Sequence, residues 1–149
     1  MSIYQQALQE QIEENFSNIE VLDSMISEGL EPTWCEPIPL TENLPALGTG
    51  NKTGVYKIFH VEDLTTALII GEGNLSNRKS RHKGIMDRKG IPMPNCPCAT
   101  ASKMYKYDPN IDNWYISCCK LPKSISTKYE KLLIESEKPK FNLVSMAGL

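Results

Sequence analysis

Residues 54–71 read GVYKIFHVEDLTTALIIG, two β-like runs (GVYKIFHV, 54–61, and TALIIG, 66–71) separated by Glu62, Asp63 and Leu64. Aromatic and β-branched residues on either side of a short polar break predict a hairpin. Downstream, Leu75 to Met86 reads as a helix rich in Arg and Lys, and Pro92, Pro94 and Pro97 end any helix that follows it. NWYISCCKL (113–121) has the character of a third strand. Ser124 to Glu137 reads as a helix opened by Ser124 or Ser126 and stopped before Pro139. This order of elements predicts an α+β unit with a small three-stranded antiparallel sheet flanked by helices.

Upstream of the hairpin the pattern changes. Leu8, Ile12, Phe16, Ile19, Leu22 and Ile26 recur at three- and four-residue steps and predict a helical extension over 2–28. It is one helix or two, because Ser2 with Gln5 and Ser17 with Glu20 both form capping boxes. Residues 30–53 hold Pro32, Pro37, Pro39, Pro45, Gly48 and Gly50 and read as an irregular wrapping linker. The chain thus divides into an acidic helical arm with a Pro-rich linker (1–51) and a body (52–149).

Charge divides the same way. Residues 1–51 hold nine of the 18 acidic residues and no Lys or Arg, so the arm carries −9 and the body, with all 16 basic residues, +7. A basic body suits a polyanionic partner, because cations that displace counterions from phosphates drive sequence-independent nucleic-acid binding. The arm's apolar stripe would pack on the body or pair with a second copy in a homodimer; alternatively its acids would mimic DNA and shield the basic face. There is no run of 18 apolar residues and no signal-peptide pattern, which predicts a soluble cytoplasmic protein with no membrane partner. Cys35, Cys96, Cys98, Cys118 and Cys119 lack the spacing of a secreted disulfide scaffold and read as reduced thiols. A structural Zn²⁺ on the last four is disfavoured, since Cys118 and Cys119 would point to opposite faces of a strand.

Three separated pieces of the body resemble the GIY-YIG nuclease family over residues 54–142. Gly54-Val55-Tyr56 opens one strand and Ile69-Ile70-Gly71 closes the next, as do the two halves of that family's motif. Asn74-Leu75-Ser76-Asn77-Arg78 followed by His82 resembles the family helix with its catalytic Arg. Glu130, with Pro139 and Asn142 nine and twelve residues on, resembles the third piece. The resemblance implies an endonuclease hydrolysing phosphodiester bonds of duplex DNA with Mg²⁺ or Mn²⁺, one ion per active site.

The residue types suit that chemistry, which needs an activated water, a cation on the phosphate and stabilisation of developing negative charge. Glu130 is the expected metal carboxylate, because Mg²⁺ commonly takes one or two protein carboxylates and fills its octahedron with waters and phosphate oxygens. Arg78 would grip the scissile phosphate with its planar fork. His82, one turn on and on the same helix face, would assist the water, orient a phosphate, or simply hydrogen-bond at the helix surface. Lys79, Arg81 and Lys83 are the expected substrate-binding cations of that helix. Tyr56 is the expected general base or water-orienting hydroxyl, its phenol needing an adjacent cation to ionise at neutral pH. Asn142 would organise the site by hydrogen bonds, and Gly54 and Gly71 would allow close backbone approach. Base readout would come from a loop over 87–110 through Arg88, Lys89 and Lys103.

Two positions depart from the family pattern. Ile69 stands where the second motif tyrosine is expected, and Glu72 where a Lys is frequent. An anion at 72 would repel phosphate unless it points away or joins the metal site. These departures keep two other readings open: a catalytically impaired nucleic-acid-binding module derived from such a nuclease, and a protein-binding domain working through the acidic helix.

Overall fold

A computed structural model describes Ile3 and residues 33–42, 52–91 and 99–145. Its elements are β1 (Ile38–Pro39), β2 (Thr53–His60), β3 (Ile69–Asn74), α1 (Leu75–Asp87), α2 (Ala99–Tyr107), a 3₁₀ turn (Ile111–Asn113), β4 (Trp114–Lys120), α3 (Lys123–Glu137) and α4 (Lys140–Leu143). The fold is α+β, with one antiparallel sheet in the order β1-β4-β2-β3. β2 is hydrogen-bonded on both sides and covered on both faces, which is why its sequence is apolar almost throughout.

Two apolar layers sandwich the sheet. Tyr56, Ile58, Ile69, Ile116 and Cys118 face one way and pack with Leu75, Ile85 and Met86 of α1, Ala101 and Met104 of α2, and Phe141 of α4. Val55, Phe59, Ile70 and Cys119 face the other way, against Ile125, Tyr129 and Leu133 of α3. The four-residue steps from 125 to 133 place those three residues on one stripe of the helix. Cys118 and Cys119 thus lie in opposite layers, and burial pushes both thiols up to about 12.

The sheet has four strands where three were expected. β1 falls in the stretch that its prolines marked as irregular. Pro39 is tolerated because β1 is an edge strand, paired only with β4. Cys35 N–H donating to the Cys118 carbonyl at 3.0 Å, and Leu40 N–H to that of Trp114 at 2.8 Å, pin this segment to the sheet on either side. β3 begins and ends three residues later than the run 66–71 suggested, taking in Gly71, Glu72, Gly73 and Asn74. These are weak strand formers, held extended by register with β2 from Thr53↔Asn74 to Ile58↔Ile69.

The expected loop over 87–110 contains α2 instead. Lys103, expected to reach DNA, is buried in α2 and donates from Nζ to the Phe141 carbonyl at 2.7 Å. α3 starts at Lys123 behind Pro122 with no side-chain cap, and the Ser126 hydroxyl donates back to the Leu121 and Pro122 carbonyls rather than capping. At the far end of β2, His60 Nε2 lies 2.7 Å from the Asp108 carboxylate, and the His60 ring stands edge-on to Trp114. That contact holds the Asp108 carboxyl below the usual range and ties the hairpin to the end of α2.

Of residues 2–28 only Ile3 is described, half-buried against the α3 layer. The remainder of the expected helix over 2–28, with the homodimer expected of it, and Cys96 and Cys98 lie outside the described residues. Among those described, no helix is long and apolar enough to cross a membrane.

Candidate active site

β3 is the outer strand, and the chain folds over its free side from three directions. Its first half is sealed by α4: Asn142 Oδ1 accepts from Ile70 N–H at 2.9 Å and Asn142 Nδ2 donates to the Ile70 carbonyl at 2.8 Å. One side-chain amide thereby replaces a missing strand partner. Both bonds fall one residue before Gly71. Asn142→Ala leaves both Ile70 groups short of a partner beside a buried side chain. An unsatisfied buried group costs about 1–3 kcal/mol, so melting should fall by roughly 5–10 °C in a thermal scan.

The second half of β3 is where the candidate residues meet. Tyr56 pairs with Gly71 in register, and a Cβ at Gly71 would overlap the phenol, whose ring leans across the strand. Gly73, on the same face two residues on, has φ +135°, a conformation L side chains rarely adopt. A Cβ there would stand 2.6 Å from Arg78 Nε. The Tyr56 phenol and the Arg78 guanidinium are therefore seated side by side on positions that lack a side chain. Gly54, paired with Gly73 across β2, leaves no room for a Cβ against the Cys119 carbonyl.

Asn74 starts α1 by accepting from Asn77 N–H at 3.1 Å, which aims the first turns of the helix over the sheet. His82 is buried, at 1% exposure, rather than on the helix surface. Its Nδ1 lies 2.8 Å from the Arg78 carbonyl, and because a carbonyl only accepts, Nδ1 carries the proton. The His82 ring meets the Tyr56 ring edge-on, centroids 5.4 Å apart. His82 therefore touches Tyr56 and the Arg78 backbone. Lys79 is partly buried on the same side, its ammonium pushed down by desolvation and then by Lys83, with Cys118 close by. Lys83 is engaged with Asp87 at 2.8 Å. Arg81 is half-exposed on the same helix.

Glu130 comes from the opposite layer, on α3. Its carboxyl is pushed up to about 7, first by burial, then by Glu72, while Arg78 pulls it down. Glu72 pairs with Val55, whose side chain is in the α3 layer, so Glu72 shares Glu130's side of the sheet. Arg78 and Glu130 thus approach the edge of β3 from its two faces, although 52 positions separate them in the chain.

Glu130 and Glu72 are the residues that could hold a hard divalent cation. Among the described residues no group of three or more His, Cys, Asp or Glu side chains gathers, which is too few for a protein-only cage. Two neighbouring carboxylates, one half-buried and destabilised by the other, match an ion that takes one or two protein oxygens and keeps its waters. Gly73 carries a feature sequence reasoning missed, while Glu72, already marked there as an anion that points away or joins the metal site, lies on the Glu130 side of the sheet. The alternation from Gly71 to Gly73 was the available signal for a side-chain-free strip.

Comparison of the chain with protein-family models, with curated proteins and with solved structures finds no match.

Proposed function

We propose that the chain is a divalent-metal-dependent endonuclease of the GIY-YIG type, hydrolysing phosphodiester bonds of duplex DNA. The observation that carries this reading is the meeting of Arg78 and Glu130 at one strand edge, with Tyr56 seated beside Arg78 on the glycine strip. Mg²⁺ or Mn²⁺ held by Glu130, with Glu72 as a second oxygen donor, would supply Lewis-acid charge at the phosphate and acidify a bound water. Arg78 grips the scissile phosphate and offsets the charge that grows on its oxygens. The Tyr56 hydroxyl orients the attacking water, and His82 holds the Tyr56 ring in place. Water adds to phosphorus as the bond to the leaving alcohol breaks, and one proton passes from the water toward that alkoxide.

The test is nicking of supercoiled plasmid with Mg²⁺, Mn²⁺ or chelator, alongside a binding measurement on the same DNA. Metal-dependent nicking is expected. Folded protein that binds DNA yet leaves it intact under every metal condition would discard the nuclease. It would instead favour the second reading, a catalytically impaired nucleic-acid-binding module. Glu72 motivates that reading, because it puts an anion beside Glu130 near the phosphate grip, as does the buried Ile69 in place of a second hydroxyl.

Gly73→Ala is expected to lower kcat at least tenfold with Kd for DNA changed less than threefold, because the added carbon displaces the guanidinium without removing its charge. Single-turnover kinetics at saturating enzyme separate the two quantities. An unchanged kcat would mean that the seat on Gly73 plays no part in turnover.

A further inference from the structure

The end of the sheet where β2 begins, and where β3 and β4 stop, carries a run of cations that the proposed catalytic centre does not use. Gly73, Gly54 and Lys120 stand in one row across β3, β2 and β4. Directly opposed residues point to the same face, so Lys120 extends the face on which Arg78 lies over Gly73. Leu75 N–H donates to the Lys52 carbonyl and Leu121 N–H to that of Thr53, both at 3.0 Å, which brings Lys52 between the starts of α1 and α3. Lys52, Lys120 and Lys123 are all exposed there.

The helix charges point the same way. α1 has no acid in its first turn and opens into Arg78 and Lys79, while its one acid, Asp87, closes it. α3 opens on Lys123 with no acid in its first turn and holds Glu135 and Glu137 at its close. Both arrangements run against the helix dipole, which favours acids at the start and bases at the end. Two positive helix ends and their basic residues therefore converge on one end of the sheet, an arrangement that favours an anion there.

We propose that this end of the sheet is a backbone track for the duplex, with Lys52, Lys120 and Lys123 holding phosphates that flank the one gripped by Arg78. The inference rests on the nuclease reading for its occupant. From Gly73 to Lys120 is two strand spacings, roughly 10 Å. That matches about three nucleotides of rise along one DNA strand. Cations gathered at one end of the sheet beside a phosphate fork fit a linear array of phosphates.

The test is fluorescence anisotropy on a short labelled duplex in chelator, so that nothing is cut, across a series of salt concentrations. The slope of log K against log salt becomes shallower by about 0.9 for each phosphate that the protein no longer neutralises. Lys52→Ala/Lys120→Ala/Lys123→Ala together should make it shallower by about 2–3, with unchanged thermal melting confirming the fold. Lys106→Ala, in α2 near the His60 end of the sheet, should leave the slope as it is. A triple variant with the wild-type slope overturns the track, and does so without touching the nuclease reading if the wild type cleaves. A wild type that binds with a slope absent from the triple variant, yet never cleaves, upholds the track and discards the nuclease. A wild type that does not bind the duplex overturns the track.

Discussion

Glu130→Gln is expected to abolish cleavage and, above neutral pH, to raise the melting temperature. The carboxyl titrates near 7 in the folded protein against an ordinary value of 4.5, because burial and Glu72 outweigh the help of Arg78. Below pH 4.5 it is protonated whether the chain is folded or not. Between 4.5 and 7 the unfolded chain releases its proton first, so stability falls as pH rises, and above about 7 the full penalty is present. Gln removes that charge at the same volume. The group is only half-buried, so solvent screening holds the penalty to the order of 1 kcal/mol and the gain at pH 8 to a few degrees. At pH 5 the two proteins should melt together. Turnover should drop on the order of 10³-fold, since several kcal/mol of charge stabilisation depart with the ion. Added Mn²⁺ should raise the melting temperature of the wild type and not of the variant. Wild-type turnover in Glu130→Gln would remove the residue from the site; a variant less stable at pH 8 would reverse the account of its burial.

Why the sequence showed some of this and not the rest follows from what each residue's signal depends on. α1, α3, β2 and β4 were legible within two residues because each has a stripe or run that buries on its own account, such as Ile125, Tyr129 and Leu133. β1 was not, since two residues including Pro39 form a strand only when β4 is already there to pair with. β3 was misplaced because Gly71 and Gly73 weaken local preference for the strand, and the function proposed for them, clearing space for Tyr56 and Arg78, is invisible until the register is known. α2 was missed because Ala101 and Met104 are a thin apolar signal behind three prolines, and Lys103 looked exposed because nothing in the sequence reveals the Phe141 carbonyl that holds it. For the site, the resemblance to the GIY-YIG family pointed to Tyr56, Arg78, His82, Glu130 and Asn142. It did not tell that His82 is buried, nor that Glu72 lies on the face from which Glu130 arrives.

Arg78→Lys and Arg78→Ala should both lower turnover by about 10²–10³, and only the second should move the pH profile. The guanidinium lies against Gly73, and on the proposed reading its two parallel donors take the phosphate as a fork. Lysine keeps the charge and loses the fork, leaving Kd for DNA within tenfold while the transition state loses its grip. Arg78 also stabilises the ionised form of Glu130. Alanine removes that help, the Glu130 carboxyl rises further, and the acid limb of the rate profile at limiting metal shifts to higher pH. Lysine retains the help, so its profile keeps the wild-type midpoint at a lower plateau. Measured from pH 5.5 to 9 at limiting Mn²⁺, two plateaus lowered alike and one midpoint shifted would separate Arg78's grip on phosphate from its support of Glu130. Wild-type turnover in Arg78→Lys would show that a point charge suffices, and that the seat on Gly73 serves folding rather than catalysis.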